Sequence, residues 1–469
     1  MAVLALAMTS GAGARSSAAE IEDFLDEALP ASGAPGIAYA VVEPGEVALG
    51  ARGEALAGSD IMVTADTPFV IGSVSKSFTA LAIMQLVEAA KVDLDARVST
   101  YLPEFEGHAA GAATIRQLLS HTSGFSTLQG NQAHRDEGRQ ADALAQQVAR
   151  DAMADPATTP GTVFDYSNAN YRILGRVIEV VSTRDYATYI EEQILAPLGM
   201  INSFVSDGAV HPQMAAGHRP WFFGKRAFEP GLTHRVNAPA GGVVASAADM
   251  AKYLAMMVNG QDDLVRAETK ALMMSPASDA APAYGFGWNL VAGGATVYHT
   301  GTSPGVETQA TLIPEEGLAS IVLVNAGSGM GFGETEPLIG GLTALALGYD
   351  YTPAGGTIWR RLMLASLALA PLFFVVCIIW AVRHRAQLRA KSRSVAGKAS
   401  LFFPLVMMAA MGVVLLWLVP WLFGTTLRSL ALYLPDMVLA MEATVLTGVG
   451  WALVRIALAF GGKGGQSDK

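Results

Sequence analysis

Apolar positions change their rhythm along this chain. Gly36 to Val42 and Val47 to Ala51 are short runs of β-branched and small residues bridged by Pro44-Gly45, the pattern of a hairpin. A second group of short strands is expected at Tyr284–Leu290, Thr296–His299, Thr308–Pro314 and Ala319–Asn325. Between the two groups the spacing turns helical. Phe78, Leu81, Met84, Leu86 and Val87 recur at helical intervals across Val74–Ala90, and Asp142–Ala154, Tyr171–Val181 and Ala247–Val258 behind a Ser246 cap read the same way. Strands at both ends with helices between them predict an α+β domain over residues 20–350. It should contain an antiparallel sheet closed by distant segments and flanked by helices, an inserted helical lobe, and a site in the cleft between lobes.

After residue 360 the rhythm gives way to unbroken apolar runs. Leu362–Val382 has 21 residues without a charge and Leu401–Phe423 has 23. Each is long enough to cross a hydrocarbon layer of about 30 Å. Met437–Phe460 is a third expected span, with Glu442 and Arg455 toward its opposite ends, where water is within reach. The connector 383–400 holds Arg383, Arg385, Arg389, Lys391, Arg393 and Lys398, and is expected to be a cytoplasmic loop by the positive-inside rule. The body then lies on the extracytoplasmic side, which calls for an export signal. Residues 1–19 supply an apolar stretch, Ala2–Met8, and small residues at Ser17-Ala18-Ala19 for cleavage, and are read as a signal peptide.

Charge sharpens the division. Residues 361–469 carry 11 Lys/Arg against 3 Asp/Glu, and residues 1–360 carry 20 against 38. So acidic a body argues against nucleic-acid partners, because phosphate binding needs a basic footprint. The single cysteine, Cys377, rules out an intrachain disulfide and Cys-rich metal sites.

Ser73-Val74-Ser75-Lys76 follows a glycine at the start of the Val74–Ala90 helix. Positions three apart share a helix face, so Ser73 and Lys76 fall within hydrogen-bond reach. The helix dipole and burial both disfavour an ammonium, which leaves the lysine a candidate to take the serine proton. By itself Ser-x-x-Lys also arises by chance as a capping serine beside a solvated lysine. Here it is followed, in order, by Tyr166-Ser167-Asn168 and by His299-Thr300-Gly301.

The three motifs together resemble the serine β-lactamase and penicillin-binding protein family, in particular the branch of class C β-lactamases and D-alanyl-D-alanine carboxypeptidases. Leu118–Phe125, Leu195–Met200 and Pro239–Met250 resemble it too, so the likeness runs from about residue 30 to residue 330. The resemblance implies that Ser73 attacks a carbonyl, that Lys76 and Tyr166 share general-base duty, and that Asn168 orients Lys76 and meets a substrate amide. It implies an oxyanion hole from the backbone N–H groups of Ser73 and Thr302, on a strand edge that carries His299, Thr300 and Gly301. Tyr166 would need a lowered pKa, for which a Lys76 ammonium has the right sign.

His299 departs from the usual lysine of the third motif. An imidazole is mostly neutral near pH 7 and is first of all a hydrogen-bond partner, so strong β-lactam hydrolysis is not expected. Neither His299 nor His121 has a second ligand at zinc-binding spacing, so no metal or other cofactor is expected; His121 is assigned a structural hydrogen bond. The expected function is a membrane-anchored serine hydrolase forming an acyl-enzyme on Ser73. Its substrates would be small D-amino-acid peptides, cell-wall peptides among them, or related amides and esters. Alternatives are an esterase or β-lactamase of the same family, and a penicillin-sensing receptor that is acylated without turnover. The Arg383–Lys398 connector is too short to hold a folded effector domain for the last of these.

Overall fold

The computed structural model describes residues 16–461 apart from 133–139, 210, 212, 229–233, 292, 350 and 354–356. Most of the expected signal peptide, residues 1–15, lies outside the described residues. Ser17 caps helix α1 (Ala18–Ser32), with its side chain and that of Glu20 forming a reciprocal capping box.

The chain divides into a unit up to Gly355 and a unit from Gly356. The first is built on a six-stranded antiparallel sheet. Its strands are β1 (Gly36–Glu43), β2 (Glu46–Gly53), β3 (Asn289–Leu290), β4 (Val297–Ser303), β5 (Val306–Ile313) and β6 (Leu318–Val324), in the order β2-β1-β6-β5-β4-β3. Ile37 faces Val324 and Val42 faces Ala319, so the first and last strands of the domain pair and the sheet is closed by distant segments, as the pattern predicts. The β1–β2 turn needs Gly45, which sits at φ +83°.

Both faces of the sheet centre are buried, which explains why β1 and β6 read as continuous apolar runs. Ala38, Ala40 and Val42 join Ile321 and Leu323 in the large core shared with the helical lobe. Ile37, Tyr39, Val41, Val322 and Val324 turn the other way, onto Leu25 of α1 and Leu338 and Leu342 of the Glu336–Leu347 helix. The lobe includes helix α2 (Ser75–Glu88) and helix α3 (Asn168–Ser182). The Ala247–Val258 helix has the predicted limits, with Ser246 Oγ accepting from Asp249 N.

Two expectations need correction. Tyr284–Leu290 is a strand only at Asn289–Leu290, because Gly287 turns at φ +79° where the chain presses on α2: a Cβ there would lie 2.9 Å from Lys76 O. The basic connector is not a plain loop, since Arg385–Lys391 is helical and the next helix already begins at Val395.

The second unit has three helices long and apolar enough to cross a membrane, Ile358–Arg383, Val395–Leu422 and Pro435–Phe460. At 1.5 Å per residue each spans about 40 Å. Pro435–Phe460 packs against both others. Gly448 permits the approach, for a Cβ there would sit 2.6 Å from Met408 Sδ and 3.2 Å from the Phe374 ring. Arg455 is satisfied inside the unit, donating to Ser400 O at 3.4 Å and lying 4.8 Å over the Trp451 ring. These helices leave Phe373, Trp380, Phe403, Trp417 and Leu446 exposed, the reverse of the first unit's economy of apolar surface.

Candidate active site

The turn that carries Ser73 is held from three sides. Ile71 N donates to Val243 O at 3.0 Å, Val243 N donates to Ser75 Oγ at 2.9 Å, and Thr308 Oγ1 of β5 donates to Ile71 O at 2.9 Å. Gly72 has φ +54°, and a Cβ on it would stand 2.7 Å from Thr302 N. Only glycine lets the serine turn and strand β4 approach so closely. Gly301 does the same from the other side, since its Cβ would meet Ile71 O at 2.0 Å. Ser73 itself lies in a 3-10 turn, Gly72–Val74, that runs into α2.

Lys76 is fully buried in the first turn of α2. Its Nζ stands 3.0 Å from Ser73 Oγ, 2.8 Å from Asn168 Oδ1 and 2.7 Å from Ala240 O. The last two partners only accept. A neutral amine has two N–H donors and one lone pair, so donating to Asn168 and Ala240 leaves the lone pair facing the Ser73 hydroxyl. Burial drives the Lys76 amine well below its usual range, and the nearby Arg172 guanidinium adds to the effect.

Tyr166 reaches the same point from the segment before α3. Thr127 fixes its backbone by donating from Oγ1 to Tyr166 O at 2.6 Å, and the His121 ring packs against the phenol at a tilt of 36°, with centroids 4.2 Å apart. Lys76 Nζ lies 4.9 Å from the Tyr166 ring centre. Burial pushes the Tyr166 phenol up, and its hydrogen bond with Ser73 offsets this only in part. The expected phenolate-leaning Tyr166 is therefore corrected. Burial of the phenol outweighs the bond that would depress it, so Tyr166 stays protonated near neutrality.

Asn168 is the first residue of α3, and its Nδ2 donates to Asn131 Oδ1 at 3.1 Å while its oxygen receives Lys76. His121 makes the structural hydrogen bonds assigned to it. Its Nδ1 accepts from Ser167 N at 3.1 Å and from Asn170 Nδ2 at 3.0 Å, which holds the second motif in place.

His299 is buried on β4. Its Nδ1 is 2.7 Å from the Thr300 carbonyl, which only accepts, so Nδ1 carries the proton and Nε2 receives the Tyr284 hydroxyl at 3.2 Å. Burial, aided by Lys76, takes the imidazole down to about 3. Ser73, Tyr166, Asn168, Thr300 and Thr302 retain access to solvent, whereas Lys76, His299 and Gly301 lie behind them.

Sequence reasoning did not find Ala240, Asn131 or Thr308 as partners of the site. Ala240 acts through its carbonyl, which any residue could supply, and the only hint was the Pro239–Met250 stretch. His218–Trp221 and Gly224–Ala227 pair in a separate hairpin.

A two-unit architecture with this sheet and helical lobe defines a β-lactamase-like fold followed by three long apolar helices. A family model described as Beta-lactamase matches residues 20–344, and the chain belongs to the β-lactamase family. It is 32% identical over 330 residues to penicillin-binding protein 4 of Amycolatopsis lactamdurans, covering 64% of this chain and 82% of that protein. Among solved structures it is similar to the octameric penicillin-binding protein homologue from Pyrococcus abyssi, with a TM-score of 0.62, 27% identity, and coverage of 74% of this chain and 81% of that one. It is also similar to the D-amino acid amidase from Ochrobactrum anthropi SV3, crystallised with L-phenylalanine amide, with a TM-score of 0.58, 25% identity, and coverage of 70% and 95%.

Proposed function

We propose that this protein is a membrane-anchored serine hydrolase whose catalytic unit works on the extracytoplasmic side and passes through an acyl-enzyme on Ser73. The observation that carries the reading is the Lys76 amine, whose two acceptor-only partners leave its lone pair toward the nucleophile. Ser73 Oγ attacks a carbonyl carbon as its proton moves to Lys76. Tyr166, protonated and bonded to Ser73, relays a proton to the departing amine or alcohol, and water then releases the acyl group. The N–H groups of Ser73 and Thr302 receive the oxyanion, a donor set in which each member typically contributes about 100- to 1,000-fold.

The substrates proposed are D-amino-acid peptides, cell-wall peptides among them, and the related amides and esters. The likeness to a D-amino acid amidase supports this class. An uncharged His299 in place of a cation argues against efficient β-lactam turnover, because no fixed charge from that position meets the ligand carboxylate. Orientation rests on the basic residues 383–398 between the first two long helices.

The test is to incubate the detergent-solubilised full chain with a penicillin and follow its intact mass, with Ser73→Ala in parallel. A persistent adduct on the wild type alone, together with D-amino-acid amide hydrolysis lost in Ser73→Ala, is the expected result. Hydrolysis retained in Ser73→Ala would sink the mechanism.

A further inference from the structure

Arg172 is a fully buried cation to which neither the motifs nor the proposed steps give a part. It sits one turn beyond Asn168 on α3. Its Nε and Nη2 hold the Asp151 carboxylate at 3.1 and 3.3 Å, and its Nη1 donates to Gly130 O at 2.8 Å and to Asn237 Oδ1 at 3.2 Å. Two of the residues it grips, Gly130 and Asn237, lead to the partners of Lys76. Gly130 precedes Asn131, which holds Asn168, and a Cβ on Gly130 would sit 2.5 Å from Asn168 N. Asn237 precedes the short helix Ala238–Gly241, whose Ala240 carbonyl takes the other Lys76 proton. Both acceptors that fix the amine thus stand on segments tied together by one guanidinium.

A planar fork with five donors can join three segments at fixed angles, which an ammonium cannot. The same group puts a permanent charge beside the amine. The titratable groups around Lys76 are Tyr166 and Tyr171, whose ring centres lie 4.9 and 5.6 Å from Nζ, and His121 and His299, both held uncharged by burial. Arg172 is the charged neighbour acting on Lys76, and its sign opposes a second cation. We infer that Arg172 is a positioning residue that clamps the two acceptors of Lys76 and, as a like charge, opposes protonation of that amine. The inference rests on the acyl-enzyme reading of Ser73.

Two variants of the full chain test it, with the rate of Ser73 labelling by a fluorophosphonate followed by intact mass from pH 5 to 10. Asp151→Asn keeps the cation, removes its counter-charge and preserves shape, so half-maximal labelling should move to lower pH. Arg172→Met with Asp151→Leu removes both charges without stranding either. There the half-maximal pH should rise by about one unit, and labelling on the acid side of it should fall about ten-fold, one unit being ten-fold in neutral amine where the ammonium predominates. Shifts of opposite sign are not produced by a merely structural ion pair. A folded Asp151→Asn protein with an unmoved profile overturns the inference, whether or not the double variant folds. Absence of any Ser73 label on the wild type would instead overturn the acyl-enzyme reading, and the inference with it.

Discussion

The candidate site holds two basic side chains, Lys76 and His299, and the fold treats them alike in one respect and oppositely in another. Lys76 on α2 and His299 on β4 are both buried, and burial lowers the pKa of both. The difference lies in their partners. Both partners of Lys76 other than Ser73 are acceptors, so its lone pair remains for Ser73. His299 gives its only proton to the Thr300 carbonyl and fills its lone pair with the Tyr284 hydroxyl, so nothing is left to offer a substrate. Burial sets the protonation state of a base, and the donor or acceptor character of its neighbours decides whether the base is available.

The strongest way to break this comparison is to remove the available base. Lys76→Met should slow Ser73 acylation by about 100- to 10,000-fold, the usual worth of a positioned general base. His299→Gln, which retains an acceptor for Tyr284, should change that rate far less. Equal losses in the two variants, measured as penicillin or fluorophosphonate labelling rates, would mean that the imidazole works directly and that the partner argument is wrong.

Tyr166→Phe comes next. It removes the hydroxyl bonded to Ser73 while keeping the ring packed against His121. A bond that strengthens as charge develops contributes about 1.5–3 kcal/mol, so a loss of about 10- to 150-fold in acylation is expected. Because the phenol titrates above its usual range, the acid limb of the pH profile should stay where Lys76 places it; a limb that vanishes in Tyr166→Phe would return general-base duty to the tyrosine.

Much of this was legible in the sequence, for identifiable reasons. Ser73 and Lys76 share a face because helical spacing guarantees it, and Ser246 announced its helix through a local cap. The long apolar runs fixed all three C-terminal helices to within several residues, since length and composition alone set them. What stayed hidden were interactions that depend on distant backbone. Ala240 meets Lys76 across 164 positions through a carbonyl common to every residue type. Arg172 reads as an ordinary surface residue of an amphipathic helix until its Asp151 partner, 21 residues away, turns it inward. The direction of the Tyr166 shift was misread because burial of the phenol itself raises it, and residue spacing does not report burial.

Gly301→Ala probes the strand side by sterics. The added methyl would fall 2.0 Å from Ile71 O and 2.2 Å from Thr308 Oγ1, both fixed groups of the serine turn. Overpacking of this kind costs about 1–3 kcal/mol. Lower thermal stability should come with slower acylation, because β4 cannot retreat without carrying Thr302 N away from Gly72. A variant that lost stability but acylated at the wild-type rate would detach the strand edge from the oxyanion hole.

The finest test separates the two bases by their pH windows. Lys76 keeps its proton in the unfolded chain up to about 10.5 and loses it far earlier when folded, so between those points the unfolded state binds one proton more. Its contribution to stability therefore rises with pH across that window, by about 1.4 kcal/mol per unit. Lys76→Met should be more stable than wild type at pH 7, with the gap closing toward pH 10. His299 obeys the same sign in a different window, since its folded value of about 3 lies below the ordinary 6.5. Its contribution is full above 6.5 and drains away as pH falls toward 3, so His299→Gln should narrow the acid loss of stability and leave the alkaline side untouched. Thermal melts of the two variants against wild type from pH 4 to 10 would show both trends. A Lys76→Met gap that stays constant from pH 7 to 10 would mean that the folded amine is still an ammonium, and the distinction between an available and an occupied base would lose its footing.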